Sequence, residues 1–185
     1  MDRDQGRPLS GSAAGALTLR PITGDPAQMA ALQGVLEAAP GYFQAIGSGA
    51  PNPAEAQSLV TALPPAKGHD DKFVWGLYSG ATMIGCADVI RGYPTADKAV
   101  IGLLLLAEPW QGQGLGRAFA SLIEQAIGGW EAVSRLRIGV ALGNSRALGF
   151  WRHLGYVETG EVRIAEPVRV PVAVLEKPLQ RVARG

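Results

Sequence analysis

Two periodicities divide the chain. "ALTLRPI" alternates apolar and polar residues, the period of a half-buried strand. "DPAQMAALQGVLEAA" changes to helical spacing, with Met29, Leu32 and Leu36 apolar, Asp25 placed as N-cap and Pro26 in the first turn. "PGYFQAIGSGAPN" breaks that helix, and a second one starts near Pro53 and carries Ala56, Leu59, Val60 and Leu63. "PPAKGHDD" reads as a loop. "KFVWGLYS" and "ATMIGCADVI" read as strands joined by a tight turn at Ser79-Gly80. "RGYPTAD" then turns the chain into a long strand over 98–106, where the run "AVIGLLLLA" predicts burial on both faces. A helix follows over about 114–127, with Leu115, Phe119, Leu122, Ile123 and Ala126 at helical spacing and Gly128-Gly129 as its stop. "LRIGVAL" is a strand. "NSRALGFWRHL" is a helix capped by Asn144 or Ser145 and closed by Gly155, and "YVETGEVRI" and "VRVPVAVLEKPL" supply two last strands. The predicted order is β-α-α-β-β-β-α-β-α-β-β.

Composition narrows the class. A chain of 185 residues, 47% hydrophobic and 18% charged, has the make-up of one soluble globular domain, and the predicted element order makes it α/β. Residues 1–15 are small, polar and glycine-rich and read as a disordered tail, leaving 16–185 as the domain. A net charge of +1 gives no basic stripe for nucleic acid. The start lacks the apolar core of a signal peptide, and the longest apolar run is half of what crosses a bilayer, so no membrane association is expected. With Cys86 as its only cysteine the chain forms no internal disulfide, which points to a reduced, cytoplasmic setting. Cys86 lies between Gly85 and Ala87 and reads as a small buried hydrophobe. His69, in "GHDDK", and His153, on the polar side of its helix, have no partner at ligand spacing, so no metal site is expected.

The chemistry concentrates in "EPWQGQGLGRAF", residues 108–119. A glycine-rich turn between a strand and a helix aims several backbone N–H groups one way, at the positive end of the helix dipole. A tight turn with close helix packing needs one glycine; Gly112, Gly114 and Gly116 together favour a phosphate seat. The spacing is wrong for a dinucleotide fingerprint, because Arg117 holds the third glycine's place and no acidic residue closes a strand about 20 positions on. No Gly-Lys-Ser/Thr follows, which removes the P-loop.

Gln111-Gly112-Gln113-Gly114-Leu115-Gly116 resembles the pyrophosphate loop, Gln/Arg-x-x-Gly-x-Gly/Ala, of the GCN5-related N-acetyltransferase (GNAT) superfamily. "NSRALGFWRHLGY" resembles that family's second motif through Asn144, Ala147, Phe150, Gly155 and Tyr156. Arg20-Pro21 after the first strand is a smaller likeness, and the element order agrees over residues 16–179. The resemblance implies a single GNAT-type α/β domain, with a mixed central sheet of about seven strands flanked by about four helices. It implies acetyl-CoA as cofactor and an amine-bearing acceptor, small molecule or protein. A homodimer is a candidate assembly, since dimers are common among similar proteins.

The resemblance also implies that the strand before the loop carries a bulge and that the next strand splays away. The cofactor's pantetheine arm then pairs with the backbone near Leu104, Leu105 and Leu106, where an N–H near Leu104 holds the thioester oxygen. Gln111 to Arg117, Asn144, Ala147, Phe150 and Trp151 are the other cofactor contacts it implies. Asn144 has two readings, helix N-cap and bond to the cofactor arm. In much of the family a glutamate on the long strand orders the deprotonating water, but 99–106 contains no carboxylate. Glu108 just beyond is the better-placed base candidate and Asp88 on the neighbouring strand the second; Glu108 also reads as a solvated loop carboxylate, Asp88 as an ion pair with Arg91. The family's tyrosine is replaced by Trp151, an indole that donates no proton at neutral pH and reads as a packing wall. Tyr156 is the nearest phenol, at a usually structural position. For the acceptor side the candidates are Tyr42 and Phe43, which also read as core anchors, and Arg91 and Tyr93 in "RGYP". Gly149 inside a helix implies close approach by another backbone or by the cofactor. The missing tyrosine and strand carboxylate motivate an alternative, a non-catalytic acyl-CoA sensor or interaction module on the same fold.

Overall fold

The computed structural model describes residues 16–165 and 169–180. The expected disordered tail, 1–15, and the end of the expected domain, 181–185, lie outside the described residues. The strands are β1 (Leu17–Pro21), β2 (Lys72–Ser79), β3 (Thr82–Arg91), β4 (Lys98–Leu106), β5 (Arg135–Ala141), β6 (Val157–Ala165) and β7 (Val170–Pro178). They form one mixed sheet ordered β1-β2-β3-β4-β5-β7-β6, in which only β4 and β5 pair in parallel.

Helices cover both faces. Buried residues of α1 (Pro26–Glu37), α2 (Pro40–Ala45) and α3 (Glu55–Thr61) pack with Val74, Tyr78, Cys86, Leu103 and Leu105 of the sheet. Those of α4 (Leu115–Ile127) and α5 (Ser145–His153) pack with Leu77, Ile84, Val89, Ile101 and Ile138 on the other face. Phe119, Ile123 and Ile127 of α4 are fully buried, and each contributes about 1.5–3 kcal/mol by leaving water. The helix starts follow local chemistry: Asp25 accepts from the N–H of Ala27 (2.9 Å) and Gln28 (3.1 Å), and Asn144 from that of Ala147 (3.0 Å).

Among the described residues there are five α-helices, against about four expected. The extra one, α2, lies in "PGYFQAIGSGAPN", which the sequence reads as irregular. Pro40 takes the first turn, where its missing N–H is not needed, and Phe43 anchors the helix in the core. The cap comes from outside the segment: Glu108 Oε1 accepts from the Gly41 N–H at 2.8 Å. A carboxylate 67 positions away has no local signature. A 3₁₀ turn at His69–Asp71 likewise orders part of "PPAKGHDD".

The strand β4 is irregular in one place. Asp88 pairs with Leu103 but Val89 with Ile101, so Gly102 is an extra residue, a β-bulge. The bulge reverses the alternation of side chains. Ala99 and Ile101 face the α4–α5 layer before it; Leu104 and Leu106 do so after it, and Leu103 and Leu105 turn to α1–α3. The run therefore has apolar contacts on both faces, although Leu104 is only half-buried.

Candidate active site

The glycine turn joins β4 to α4. Gly112 and Gly114 have φ of 76° and 78°, a left-handed backbone that glycine alone adopts without strain. A Cβ on either meets no protein atom within 4 Å, so both border open space. Gly116 serves packing instead, since a Cβ there would lie 3.2 Å from Phe150 Cε2. The N-cap of α4 is Gly114, which has no side chain to offer, so the first-turn N–H groups stay available to a ligand. Gln111 holds the turn in place, its Nε2 donating to the Leu106 carbonyl at 2.8 Å.

Beside the turn the sheet opens. The pairs between β4 and β5 run from Lys98↔Arg135 to Ile101↔Ile138 and stop at the bulge. Beyond it β4 stays with β3, and Gly139–Ala141 stay with β7. The Ala107 N–H donates to Ile84 O at 3.0 Å, which sets the alternation of the ladder. In that register Leu103 and Leu105 exchange bonds with β3, whereas the N–H and C=O of Leu104 and Leu106 point into the gap. Gln111 takes up the Leu106 carbonyl; both N–H groups and the Leu104 carbonyl face the opening.

Gap and turn form one cleft of about 870 Å³. Its floor is Leu104–Leu106, one end is Gln111, Gly112, Gly114, Gly116 and Arg117, and a wall is Asn144, Ala147, Phe150 and Trp151 of α5 and its cap. Tyr42 and Glu108 close the side toward α2.

Tyr42 also lines a second cavity of about 120 Å³, between α1–α3 and the bulge. Its other walls include Phe43, Ile46, Leu59 and Leu103, with two acidic residues, Asp88 and Glu55, the latter's Oε2 accepting from the Asn52 backbone and side chain. Asp88 Oδ1 is bound by Lys72 Nζ at 2.8 Å, and both side chains are largely buried. Its Oδ2 lies over Gly102, 3.1 Å from where a Cβ would sit. Burial raises the Asp88 carboxyl above the ordinary carboxylate range, and Lys72 offsets only part of that. The Tyr42 phenol is pushed up to about 12, by burial first and then by the nearby Cys86, Glu55 and Asp88. Negative charge thus faces this cavity.

A family model described as the acetyltransferase (GNAT) family matches residues 33–156. The chain belongs to the GNAT acetyltransferase family. Among solved structures, an acetyltransferase from Thermus thermophilus is similar at 29% identity and a TM-score of 0.69, over 90% of this chain and 99% of that one. AAC(6')-Ib in complex with ribostamycin and coenzyme A is similar at 18% identity and 0.70, over 88% and 93% of the two chains. A spermidine N-acetyltransferase from Vibrio cholerae, in complex with CoA and spermine, is similar at 14% and 0.61, over 88% and 95%. At the last two identities the likeness is one of fold. A search of curated protein sequences found no match.

Most of the residues that the GNAT motifs single out meet at the large cleft, but several do not. Gln113 and Leu115 lie outside it: Gln113 Nε2 donates to the Pro109 carbonyl at 2.9 Å, and Leu115 packs on the core. Phe43 is buried in the second cavity's wall. Arg91 and Tyr93 sit at the opposite end of β3. Arg91 pairs across from Ala99, roughly 15 Å along β4 from Leu104. Its guanidinium bonds Asp71 and the Asp70 carbonyl and lies over Phe73 and Trp130. Asp88 therefore pairs with Lys72 and not, as its sequence neighbourhood suggests, with Arg91. Tyr156 is buried outside the cleft, its hydroxyl donating to Glu124 at 3.4 Å. Burial and the Glu124 carboxylate drive its phenol far above its ordinary value, the wrong direction for an acid at neutral pH. A Cβ at Gly149 would meet nothing within 4 Å, so no protein backbone crowds that glycine.

The cleft also contains Arg146 and His153, which the motifs do not mark. Both lie on the Phe150 face of α5, at i−4 and i+3, and that helical spacing is the signal by which the sequence shows them. No helix among the described residues is long and apolar enough to cross a membrane, and no cluster among them could hold a metal ion.

Proposed function

We propose that this protein transfers an acetyl group from acetyl-CoA to a primary amine. The observation that carries the reading is the gap beyond Ile101 and Ile138, with the Leu104 backbone facing it and the uncapped start of α4 at its end. The residues present fit the cofactor. First-turn N–H groups of α4 would hold the diphosphate, helped by the guanidinium groups of Arg117 and Arg146 at the same cleft. Gly112 and Gly114 leave room for it. The Leu104 C=O and the Leu106 N–H would pair with the pantetheine amides as a neighbouring strand would, which leaves the Leu104 N–H for the thioester oxygen. The Asn144 side-chain oxygen caps α5, and its amide remains for the cofactor arm. Bound there, acetyl-CoA supplies an acetyl group activated as a thioester. Two proteins of similar fold were solved with coenzyme A, which supports the assignment.

The chain's own groups then divide the work. The backbone N–H of Leu104, aimed at the carbonyl oxygen, would stabilise developing negative charge by about 3 kcal/mol. Phe150 and Trp151 form the apolar wall that excludes water. Each candidate base has one oxygen engaged, Asp88 Oδ1 by Lys72 and Glu108 Oε1 by the Gly41 N–H, and we favour Asp88 because its Oδ2 lies beside the bulge at the second cavity. A carboxyl raised by burial is also the stronger proton acceptor. That second cavity favours catalysis over a sensor, which needs a site for the cofactor alone.

Calorimetry tests the first step and should show one acetyl-CoA bound per chain. Absence of binding at high micromolar cofactor removes the proposal. Thiol release with a panel of amines tests the second; a chain that binds cofactor yet releases thiol with no amine is a sensor.

A further inference from the structure

The geometry points to the cavity beneath Tyr42 as the acceptor pocket, one that selects a compact primary amine carrying a single positive charge. This rests on the reading of the larger cleft as the acetyl-CoA site. Tyr42 lines both spaces, and their floors are consecutive on β4: Gly102 and Leu103 under the cavity, Leu104 to Leu106 under the cleft. An amine seated over the bulge is therefore two residues along β4 from the Leu104 N–H.

Size sets the first limit. About 120 Å³ accommodates roughly four to ten non-hydrogen atoms at about 12–30 Å³ each. The walls Phe43, Ile46, Leu59 and Leu103 are apolar and suit an alkyl or aryl group. Charge sets the second limit. Asp88 and Glu55 are negative and Lys72, bound to Asp88, is positive, so the set carries one uncompensated negative charge. One ammonium balances it. A polyamine or aminoglycoside would bring further cations against apolar walls with nothing to pair them. The missing side chain at Gly102 is what leaves Asp88 Oδ2 open to the amine.

The transfer balances as follows. An ammonium over Gly102 gives one proton to Asp88, which passes it to water. Its nitrogen forms the C–N bond to the acetyl carbon as the C–S bond of acetyl-CoA breaks. The second proton it sheds leaves on the thiol.

The test is thiol-release kinetics of the full chain with acetyl-CoA and five acceptors: n-butylamine, benzylamine, spermidine, ribostamycin and a short peptide with a free N-terminus. One of the first two should exceed the other three in kcat/KM by about tenfold or more, the discrimination that pocket size gives. Leu59→Trp fills the cavity from α3 and should raise the small amine's KM by about tenfold, with the acetyl-CoA Kd held within about twofold. Glu55→Gln keeps the side chain's shape and should raise that KM roughly three- to tenfold with little change in kcat; it decides the matter if the tryptophan variant fails to fold. Turnover of only spermidine, ribostamycin or the peptide, turnover of none of the five, or an unmoved KM in Glu55→Gln overturns the assignment. Failure of the unmodified chain to bind acetyl-CoA by calorimetry overturns the cofactor reading beneath it instead.

Discussion

Replacing Gly114 with alanine separates the two reasons for glycine in the turn. At φ 78° a Cβ costs about 1–2 kcal/mol of left-handed backbone strain. For a domain of this size that lowers Tm by roughly 2–8 °C. The Cβ meets no protein atom within 4 Å, so packing adds nothing to the loss. What it enters is the open end of the cleft, where it would hold a phosphate off the first-turn N–H groups of α4. One charge-assisted hydrogen bond is worth about 1.5–3 kcal/mol, so the acetyl-CoA Kd should rise roughly 10- to 150-fold. Gly80 supplies the matched control. It turns the β2–β3 hairpin at φ 61°, has equally open space around its would-be Cβ, and lies outside the cleft. Gly80→Ala should lose similar stability and no affinity. Thermal unfolding by circular dichroism and calorimetry of acetyl-CoA read the two quantities separately. The reasoning fails if Gly114→Ala binds like the unmodified chain, or if Gly80→Ala weakens binding as much.

Three further substitutions probe other links. Tyr156→Phe should leave kcat within about twofold and cost at most about 1 kcal/mol, because it removes only a long bond to Glu124 outside the cleft; a tenfold fall in kcat would restore Tyr156 as an acid. Gly85→Ala should cost about 3 kcal/mol or more in urea unfolding, since its Cβ would lie 2.6 Å from the Leu105 carbonyl oxygen, a backbone atom with no room to move; a loss under about 1 kcal/mol contradicts the close β3–β4 approach. Glu176 gives a pH signature. Burial acts to raise its carboxyl, but the bonds from Lys98 (2.6 Å) and Arg137 (2.8 Å) outweigh it and hold it below its ordinary value of 4.5. A folded pKa below the unfolded one means stability present above 4.5 and lost as pH falls through the folded value. Glu176→Gln should flatten that acid decline in urea midpoints; superimposable acid limbs would show that the pairing contributes nothing.

The elements were legible where periodicity is local and strong. All seven strands and the helices α1, α3, α4 and α5 follow from alternation, caps and glycine stops. The large cleft was legible as well, because its main parts are a turn and a helix start, each written in a few consecutive residues. What stayed hidden depends on partners distant in the chain. The helix α2 needs Glu108 to cap it, and Asp88 finds Lys72 sixteen positions back on the adjacent strand rather than Arg91 beside it. Arg91 and Tyr93 follow the same logic in reverse: they follow Asp88 closely in sequence, but β3 runs away from the cleft there, so that Arg91 lies opposite Ala99 at the other end of the β3–β4 pair.

The bulge at Gly102 ties these features together. Within "AVIGLLLLA" the glycine is a small interruption, yet the extra residue acts three times. It ends the β4–β5 ladder after Ile101, which opens the gap that the proposed function gives to a cofactor arm. It reverses the side-chain alternation, so that Leu103 faces α1–α3 and helps to line the smaller cavity. Lacking a side chain, it leaves Asp88 Oδ2 uncovered; a Cβ 3.1 Å away would crowd that oxygen. One backbone irregularity thus sets the open edge at Leu104 of β4 next to the carboxylate of Asp88, the β3 residue that pairs with Leu103. Recognition along that edge falls to main-chain N–H and C=O groups. Four consecutive leucines at 103–106 accordingly divide their tasks: their side chains pack on the core, the backbone groups of Leu103 and Leu105 pair with β3, and those of Leu104 and Leu106 would serve the proposed chemistry.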